Sequence, residues 1–273
     1  MTHPKQSSSL KTAAMAASVL AASLYGAAAQ NATATAPAGN APVPAAEVKK
    51  PYWEMSAALG ATLTSGNSDS VMVTAGFLAT HKDPKNEIKL GIDGGYGKTK
   101  DNGQSTLSAQ FVRGGGQYNR LFTERFYGYV RADGLYDKVA GVDYRFTGGA
   151  GAGYYFIKTD KVLLSGEVGP GVVTERLVST TGAHEYSTYA TLRLAENFEY
   201  KLSDKTRIWQ NAEYLPNVSD WGQYIFNFTI GIETALTTKL SLRSFLQDTY
   251  QSEPAPGRVQ NDLKWITGIA YKF

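Results

Sequence analysis

The chain of 273 residues has a formal net charge of +3 and contains no cysteine. The small net charge does not indicate nucleic-acid binding, and the lack of cysteine removes disulfides and thiol chemistry. A hydrophobic content of 42% is too low for a bundle of membrane helices, each of which needs about 20 consecutive apolar residues, but it is compatible with a β-barrel, in which only every second strand residue faces lipid.

The start of the chain has the pattern of a secretory signal. Lys5 and Lys11 form a positive region, a short apolar segment follows, and Ala27–Ala29 supply the small residues that a signal peptidase needs. The apolar segment is too short for a spanning helix. We therefore predict a signal peptide over residues 1–29, with cleavage before Gln30.

The segment after the predicted cleavage site differs in composition from the rest of the chain. Residues 30–50 are mostly Ala, Pro, Asn and Thr, with almost no bulky apolar side chain. Such a composition buries too little apolar surface to offset the entropy of ordering. We predict a disordered periplasmic tail here and a folded domain over residues 51–273.

Beyond Pro51 the sequence alternates repeatedly between apolar and polar residues. The segments Trp53–Leu63 and Tyr224–Ile232 are two examples. Successive side chains of a strand point to opposite faces, so each such segment has one apolar and one polar face. No segment after residue 50 repeats apolar residues at helical spacing for long. We predict about twelve strands, most near the length that a tilted strand needs to cross a bilayer.

The connections between the predicted strands differ between the two ends of the hairpins. One set is short and charged, as in Asp83–Asn86 and Ser203–Thr206. The other set is mostly longer or more irregular: Lys100–Ser105, Lys138–Val142, Leu177–Glu185, Pro216–Gln223 and Gln251–Arg258. Outer-membrane barrels have tight periplasmic turns and longer outer loops. Both termini are then expected in the periplasm, which requires an even number of strands.

An open sheet of this size would leave two unpaired edges. In lipid each exposed backbone group costs several kcal/mol, so the sheet must close on itself. The predicted fold class is therefore all-β: a closed antiparallel up-and-down transmembrane β-barrel. A soluble periplasmic β-sandwich or lipocalin-like binder is the alternative.

The last strand supports the membrane interpretation. Leu263, Trp265, Thr267, Ile269, Tyr271 and Phe273 share one parity. Outer-membrane barrels commonly end in such a strand with a terminal aromatic residue, which their assembly machinery recognises. We predict an assembly signal formed by Trp265, Ile269, Tyr271 and Phe273. The predicted location is the bacterial outer membrane, and the predicted partners are the barrel assembly machinery, outer-membrane lipid and lipopolysaccharide, but no nucleic acid. The sequence does not indicate the oligomeric state.

Charged residues on the polar parity are predicted to line the lumen. They are Glu54, Lys89, Asp93, Arg131, Asp133, Glu167, Arg193, Glu199, Glu233, Arg243 and Lys264. Two interpretations stay open. The charges line a pore and steer small solutes, or they form a paired network that fills the barrel, as buried charges tend to do.

Aromatic residues near the predicted strand ends indicate girdles at the membrane interfaces. They are Trp53, Tyr127, Tyr155, Phe198, Tyr200, Tyr224, Tyr250 and Tyr271. Two places depart from the pattern: Glu196 falls on the lipid-facing parity, and Arg207–Gln210 lacks clean alternation. We expect either a bulge that resets the register there or a position near the membrane interface.

His184 is the one candidate for catalysis. It lies beside Glu185 in a predicted outer loop, with Ser187 nearby, and a lipid hydrolase would need a nucleophile, a base and an orienting group in hydrogen-bond reach. No His-Xaa-Ser arrangement lies on a lipid-facing strand. We predict no enzyme activity, and a lipid hydrolase is the alternative function. His81 and His184 are too scattered to indicate a metal site, and no cofactor is predicted.

Several motifs carry a family resemblance: Thr64–Asp69, Gly151–Lys161, Glu167–Gly171 and Tyr200–Thr206. With these motifs the chain resembles the domain-of-unknown-function 481 family over roughly residues 53–273. Members are often labelled salt-induced outer membrane proteins. The resemblance implies an outer-membrane β-barrel with no established enzyme activity and no agreed ligand, so no site residue is carried over. The predicted function is a structural or passive role as a small-solute pore or binding protein.

Overall fold

The computed structural model describes residues 52–64, 69–101 and 103–273. The predicted signal peptide over residues 1–29 and the predicted tail over residues 30–50 lie outside the described residues. Within the described ranges, no helix has the length and hydropathy to cross a membrane.

In the part of the chain that the structure describes, twelve antiparallel strands form one closed sheet. They are β1 (Tyr52–Thr64), β2 (Asp69–Lys82), β3 (Asn86–Asp101), β4 (Gln104–Leu121), β5 (Phe126–Asp137), β6 (Val142–Lys158), β7 (Val162–Val178), β8 (His184–Lys201), β9 (Thr206–Asn217), β10 (Asp220–Ala235), β11 (Leu240–Gln251) and β12 (Asn261–Lys272). Each strand pairs with its neighbours in sequence, and Ser56–Gly60 of β1 pairs with Gly268–Lys272 of β12. The predicted closed barrel with an even number of strands is confirmed.

The wall of the barrel is apolar outside, and its inner face carries both polar and apolar side chains, the latter including a cluster of Phe111, Trp209 and Phe245. Leu59 and Trp265 are two of the strongly exposed apolar side chains on the outer face, whereas Thr229 and Gln247 on the inner face are fully buried. This division follows from the alternation of side chains along each strand. It gives the outer surface that a barrel needs in lipid.

The end of the barrel where β1 begins and β12 ends, here called the proximal end, has short turns. At one of them the Asp83 carboxylate accepts hydrogen bonds from the backbone N–H groups of Lys85 and Asn86 and from the Asn86 side chain. The Asn86 side chain is the main reason that the pKa of Asp83 lies below its ordinary value. Such side-chain-to-backbone bonds pre-set a tight turn.

At the opposite, distal end two predicted loops are wrong. Instead of a loop over Lys100–Ser105, strand pairing continues to Asp101 and Gln104. Instead of a loop over Pro216–Gln223, β9 and β10 remain paired as far as Asn217 and Asp220, with a register shift between Asp220 and Tyr224. The backbone N–H and C=O groups at these polar strand ends can hydrogen-bond either to water, as in a loop, or to the neighbouring strand. Here they bond to the neighbouring strand, so the hairpins extend.

The longest described connection at the distal end joins β11 to β12. It comprises Ser252–Gln260 and is called the strap below. Its two ends are tied together by the N–H of Gln251, which donates to the carbonyl of Gln260 at 2.8 Å. The strap is therefore one loop that leaves the barrel wall and returns to it at adjacent points.

The bulge expected near Arg207–Gln210 is not present. The β8–β9 ladder runs without a register shift from Leu194 to Lys201. Trp209 points into the barrel because Gly231 leaves room for its ring: a Cβ on Gly231 would lie 2.5 Å from Cζ2 of Trp209. The sequence pattern is irregular there because the apolar side chain of Trp209 faces the lumen and the polar side chain of Gln210 faces outward.

Candidate functional site

The inner wall carries the charged residues that the sequence analysis selected for the lumen. Each of them lies on the parity of its strand opposite to the exposed apolar side chains. Most of them take part in ion pairs with residues on the same or neighbouring strands.

A central ion-pair cluster is built around Arg193 on β8. Its Nη1 lies 2.7 Å from Oε2 of Glu167 on β7, and its Nε lies 2.6 Å from Oε1 of Glu213 on β9. The guanidinium group also stacks over the Tyr129 ring, 5.1 Å from the centroid. A guanidinium presents five donors in a fixed fork, so one side chain joins three strands from inside.

The Glu167 carboxylate has two further partners. Nε2 of Gln117 donates to its Oε1 at 2.9 Å, and the hydroxyl of Tyr127 donates to the same oxygen at 2.8 Å. Beside this cluster, Nε of Arg131 lies 2.5 Å from Oδ2 of Asp133. These contacts connect β4, β5 and β7 across the inner surface.

The placement of Tyr127 and Tyr155 in an interface girdle is wrong. Both side chains are buried inside the barrel, and the hydroxyl of Tyr155 donates to Oε2 of Glu87 at 2.8 Å. The space for the Tyr127 ring comes from Gly153, where an added Cβ would lie 2.2 Å from the ring. By contrast, Trp53, Tyr200 and Tyr271 are exposed on the outer face, where the girdle interpretation places them.

A second ion-pair group lies nearer the proximal end. Arg207 on β9 pairs with Glu199, at 3.1 Å, and with Glu233. Arg243 on β11 lies 3.1 Å from Glu233, and Lys89 projects inward from β3. This group therefore links β8, β9, β10 and β11 from inside.

Two further predicted residues have partners close to them in space. Nζ of Lys264 lies 2.7 Å from Oδ2 of Asp262 on the same strand. Oε2 of Glu54 lies 3.4 Å from Nζ of Lys272, at the proximal end of the β1–β12 closure. Only the Glu54–Lys272 pair bridges β1 and β12, and because Lys272 is exposed it stabilises the closure only modestly.

A polar cavity of about 140 Å³ remains in the lumen above the central cluster. The inward-pointing charged side chains of its lining are the cations Arg113, Arg131, Arg145, Arg193 and Lys264 and the carboxylates Asp133, Asp137, Glu213 and Asp262. The buried Nε of Arg113 and the buried Oδ2 of Asp93 opposite it have no hydrogen-bond partner within the described ranges. The cavity thus offers both signs of charge to a small polar molecule.

The strap lies over the distal mouth of this cavity. Its Ala255 is buried against Val142 and Leu177 on the opposite wall. The N–H of Thr180 donates to the carbonyl of Pro256 at 3.1 Å. Because β11 and β12 lie across the ring from β6 and β7, these contacts carry the strap across the mouth.

A side-chain bridge lies beneath the strap. Nη2 of Arg145 on β6 donates to Oε1 of Gln251 on β11 at 2.8 Å, while Nε of Arg145 lies 2.5 Å from Glu175. A strand on one side of the ring is therefore bonded through the lumen to a strand on the other. The bridge and the strap together narrow the distal opening.

His184 is not part of a hydrogen-bonded set with Ser187. The Nε of Arg176 donates to Nδ1 of His184 at 3.1 Å, and the hydroxyl of Ser187 donates instead to Glu175 at 3.2 Å. The residues considered for a hydrolase are therefore not brought together.

The residues predicted as an assembly signal lie at the end of β12. Trp265, Ile269 and Tyr271 are exposed on the outer face, and Phe273 follows the strand with an exposed ring. The N–H of Phe273 donates to the carbonyl of Met55 at 3.0 Å. The final residue is thus held against β1 while its side chain stays accessible.

Sequence reasoning missed several inward charges. They are Arg113, Arg145, Glu175, Arg207 and Glu213. Their parity could have found them, because each lies on the face of its strand opposite to the exposed apolar side chains. The sequence predicts a loop here, but no local signal predicts that Ala255 is buried, because its contacts are with Val142 and Leu177, which are distant in the chain.

Comparisons with known proteins give one family match and several structures with a similar fold. Residues 57–273 match the model of a family described as "Protein of unknown function, DUF481". No curated protein is significantly similar to the chain. A NanC porin has a similar fold, with 7% identity and a TM-score of 0.50 over 80% of this chain and 100% of that one. An outer membrane channel from Pseudomonas putida F1 shares 10% identity, with a TM-score of 0.46 over 87% of this chain and 100% of that one. The first similarity shows the fold alone.

Proposed function

The chain belongs to the DUF481 family of proteins of unknown function, and we propose that it forms an outer-membrane channel for small polar solutes whose distal mouth is held closed by the strap. The single observation that carries the proposal is the polar cavity of about 140 Å³ between the central ion-pair cluster and the strap.

The character of the lumen supports a role with polar solutes. Buried ion pairs can often be replaced by apolar side chains of similar volume without loss of stability. A barrel with a purely structural role therefore does not need an interior of this kind. Guanidinium groups and carboxylates in one cavity suit a small solute that carries both hydrogen-bond donors and acceptors.

The contacts at the mouth support a closed resting state. Ala255 is only 1% exposed, and the Arg145–Gln251 bridge crosses the lumen below it. A solute that enters from the distal side must displace both. We therefore expect low conductance with brief openings, rather than the steady current of an open porin.

Releasing the strap is expected to raise the conductance of the barrel several-fold. In the variant Ala255→Asp, a carboxylate would occupy a buried apolar contact, which costs several kcal/mol, so the strap leaves the opposite wall. The measurement is single-channel current of the purified barrel in planar bilayers, with wild type and variant compared at the same voltage and salt concentration.

The matched control is Val259→Asp, which adds the same charge to the same strap at a position that is 76% exposed. We expect it to conduct like the wild type. If the Ala255 variant is folded and conducts no more than the control, the strap is not a gate. If wild type and both variants pass no current at any voltage, the channel proposal is rejected.

A further inference from the structure

The outer wall has a groove between β6 and β10. The groove has a volume of about 620 Å³ and is lined almost entirely by apolar atoms. Ala152, Gly166 and Ala212 form its floor, Tyr154 and Phe156 lie towards the proximal end, and Tyr214 and Phe226 lie towards the distal end. We call it the outer groove. It lies between two sets of aromatic side chains, at the level where the outer wall faces hydrocarbon.

Glu196 lines the outer groove, and Gln210 lies beside it on the next strand. Glu196 on β8 and Gln210 on β9 are both on the outward parity, and Nε2 of Gln210 donates to Oε2 of Glu196 at 3.1 Å. Their neighbours on the same face of β8, Leu194 and Tyr200, are exposed. A polar group on the lipid-facing wall is costly, and ionisable residues at such depth mark functional sites.

The outer groove needs an occupant that offers a hydrogen-bond donor. A carboxylate accepts several hydrogen bonds. Among the described residues, Gln210 is the one side chain that donates a hydrogen bond to Glu196. An acyl chain would fill the apolar floor but would offer Glu196 no hydrogen-bond donor. The chemistry of the groove therefore favours a polar protein surface over lipid.

The outer surface of the same chain has the required complement. Glu196 and Gln210 lie side by side on adjacent strands, within hydrogen-bond distance of each other. Two copies inserted in the same direction are related by a twofold axis along the membrane normal. Where their walls face each other, this rotation places Glu196 of one copy opposite Gln210 of the other, and Gln210 of the first opposite Glu196 of the second. The carboxamide has two N–H groups, so it can serve both carboxylates.

We infer that the outer groove is the interface of a homodimer in the membrane, occupied by a second copy of this chain. The small residues on the floor allow the two walls to approach closely, and a shared polar pair specifies their register, as small and polar residues do between membrane segments. The aromatic residues beside the floor then pack against those of the other copy. The inference does not depend on whether the lumen conducts.

Cysteine cross-linking in isolated outer membranes tests the interface directly, because the chain has no cysteine of its own. Ala212→Cys places a thiol on the floor, opposite Glu196 in the β8–β9 register. Ile269→Cys is the control, since it is exposed on β12, away from the groove. With a short bismaleimide, we expect most of the Ala212 variant, and almost none of the control, to become a covalent dimer.

A second pair of variants tests the polar contact. In the Ala212→Cys background, Glu196→Leu with Gln210→Leu should reduce the dimer at least tenfold. Glu196→Gln should retain it, because a carboxamide still offers an acceptor. Folding of each variant is checked by its heat-modifiable mobility in SDS gels, and the wild-type mass in mild detergent is measured independently.

Several outcomes would overturn the inference. One is cross-linking of the Ala212 variant at the level of the Ile269 control. Another is an undiminished dimer in the folded Leu-Leu variant. A wild-type monomer with co-purified lipid would assign the outer groove to an acyl chain instead.

Discussion

Replacing Arg193 with leucine is expected to lower the free energy of unfolding of the barrel by about 3 to 5 kcal/mol, the usual cost of removing one partner of a buried ion pair. The guanidinium group lies 2.7 Å from Glu167 and 2.6 Å from Glu213. Without it, two carboxylates on the inner wall lose their direct ion-pair partner. Urea unfolding in lipid vesicles, followed by tryptophan fluorescence, measures the change.

The matched control is Arg120→Leu. Arg120 is exposed and hydrogen-bonds to Asn86 at 2.8 Å, so its loss should change the free energy of unfolding by less than about 1 kcal/mol. If both variants unfold at the same urea concentration as the wild type, the central cluster does not stabilise the wall.

A compensated variant separates charge from packing. Arg193→Met combined with Glu167→Gln and Glu213→Gln removes all three charges while keeping similar volumes. Because the cost of the single variant comes from uncompensated charge, most of the lost stability should return. Failure to recover would instead assign the effect to the lost contact of the guanidinium with the Tyr129 ring.

Strand number and closure were predictable because their signals are local. Alternation with a period of two depends only on neighbouring residues, and it survives wherever one face must be apolar. The segment Leu263–Phe273 is the clearest case, and its pairing with β1 closes the sheet. For the same reason, inward residues such as Glu167 and Arg193 follow from parity once a strand is placed.

The pairing of these charges was not predictable in the same way. The Arg145–Gln251 bridge joins residues 106 positions apart in the chain, and it exists only because the closed ring brings opposite walls into reach. Similarly, a tyrosine near a strand end belongs to a girdle or to the lumen depending on its register and on its neighbour. For Tyr127 the neighbour is Gly153 on the adjacent strand.

The strap shows the same limit at the level of a loop. Its sequence contains Pro254, Pro256 and Gly257, which indicate a turn-rich connection. The burial of Ala255 arises from Val142 and Leu177 across the mouth. Composition identifies the loop, but only the closed barrel shows what the loop covers.

Gly169→Ala is expected to cost about 3 kcal/mol or more, the upper range for inserting a group into a packed site. A Cβ at this position would lie 2.2 Å from the carbonyl oxygen of Ala150 and 2.6 Å from Cα of Gly151. These are backbone atoms, so relief requires β6 and β7 to move apart. The yield of heat-modifiable barrel in outer membranes, and refolding into vesicles, measure the loss.

The reason for this close approach lies in the segment Glu167–Gly171. Pro170 has no N–H to donate to the ladder, and the recorded pairing between β6 and β7 is interrupted there, between Gly149–Gly171 and Ala152–Val168. Where those ladder pairs are missing, the two backbones pack against each other directly at Gly151 and Gly169. A methyl group on residue 169 would therefore push β6 and β7 apart rather than fill space in the lumen.

Gly148→Ala is the control that separates this contact from the general effect of replacing glycine. Gly148 lies on the same strand as Gly151 but on the outward parity, and a Cβ there has its nearest recorded contact at 3.9 Å, with the carbonyl oxygen of Arg131. Replacing a glycine where the backbone permits alanine is normally neutral or slightly stabilising, so this variant should assemble like the wild type. Equal assembly of both variants would mean that β6 and β7 can separate at Gly169 without cost, and that the close approach does not hold the wall together.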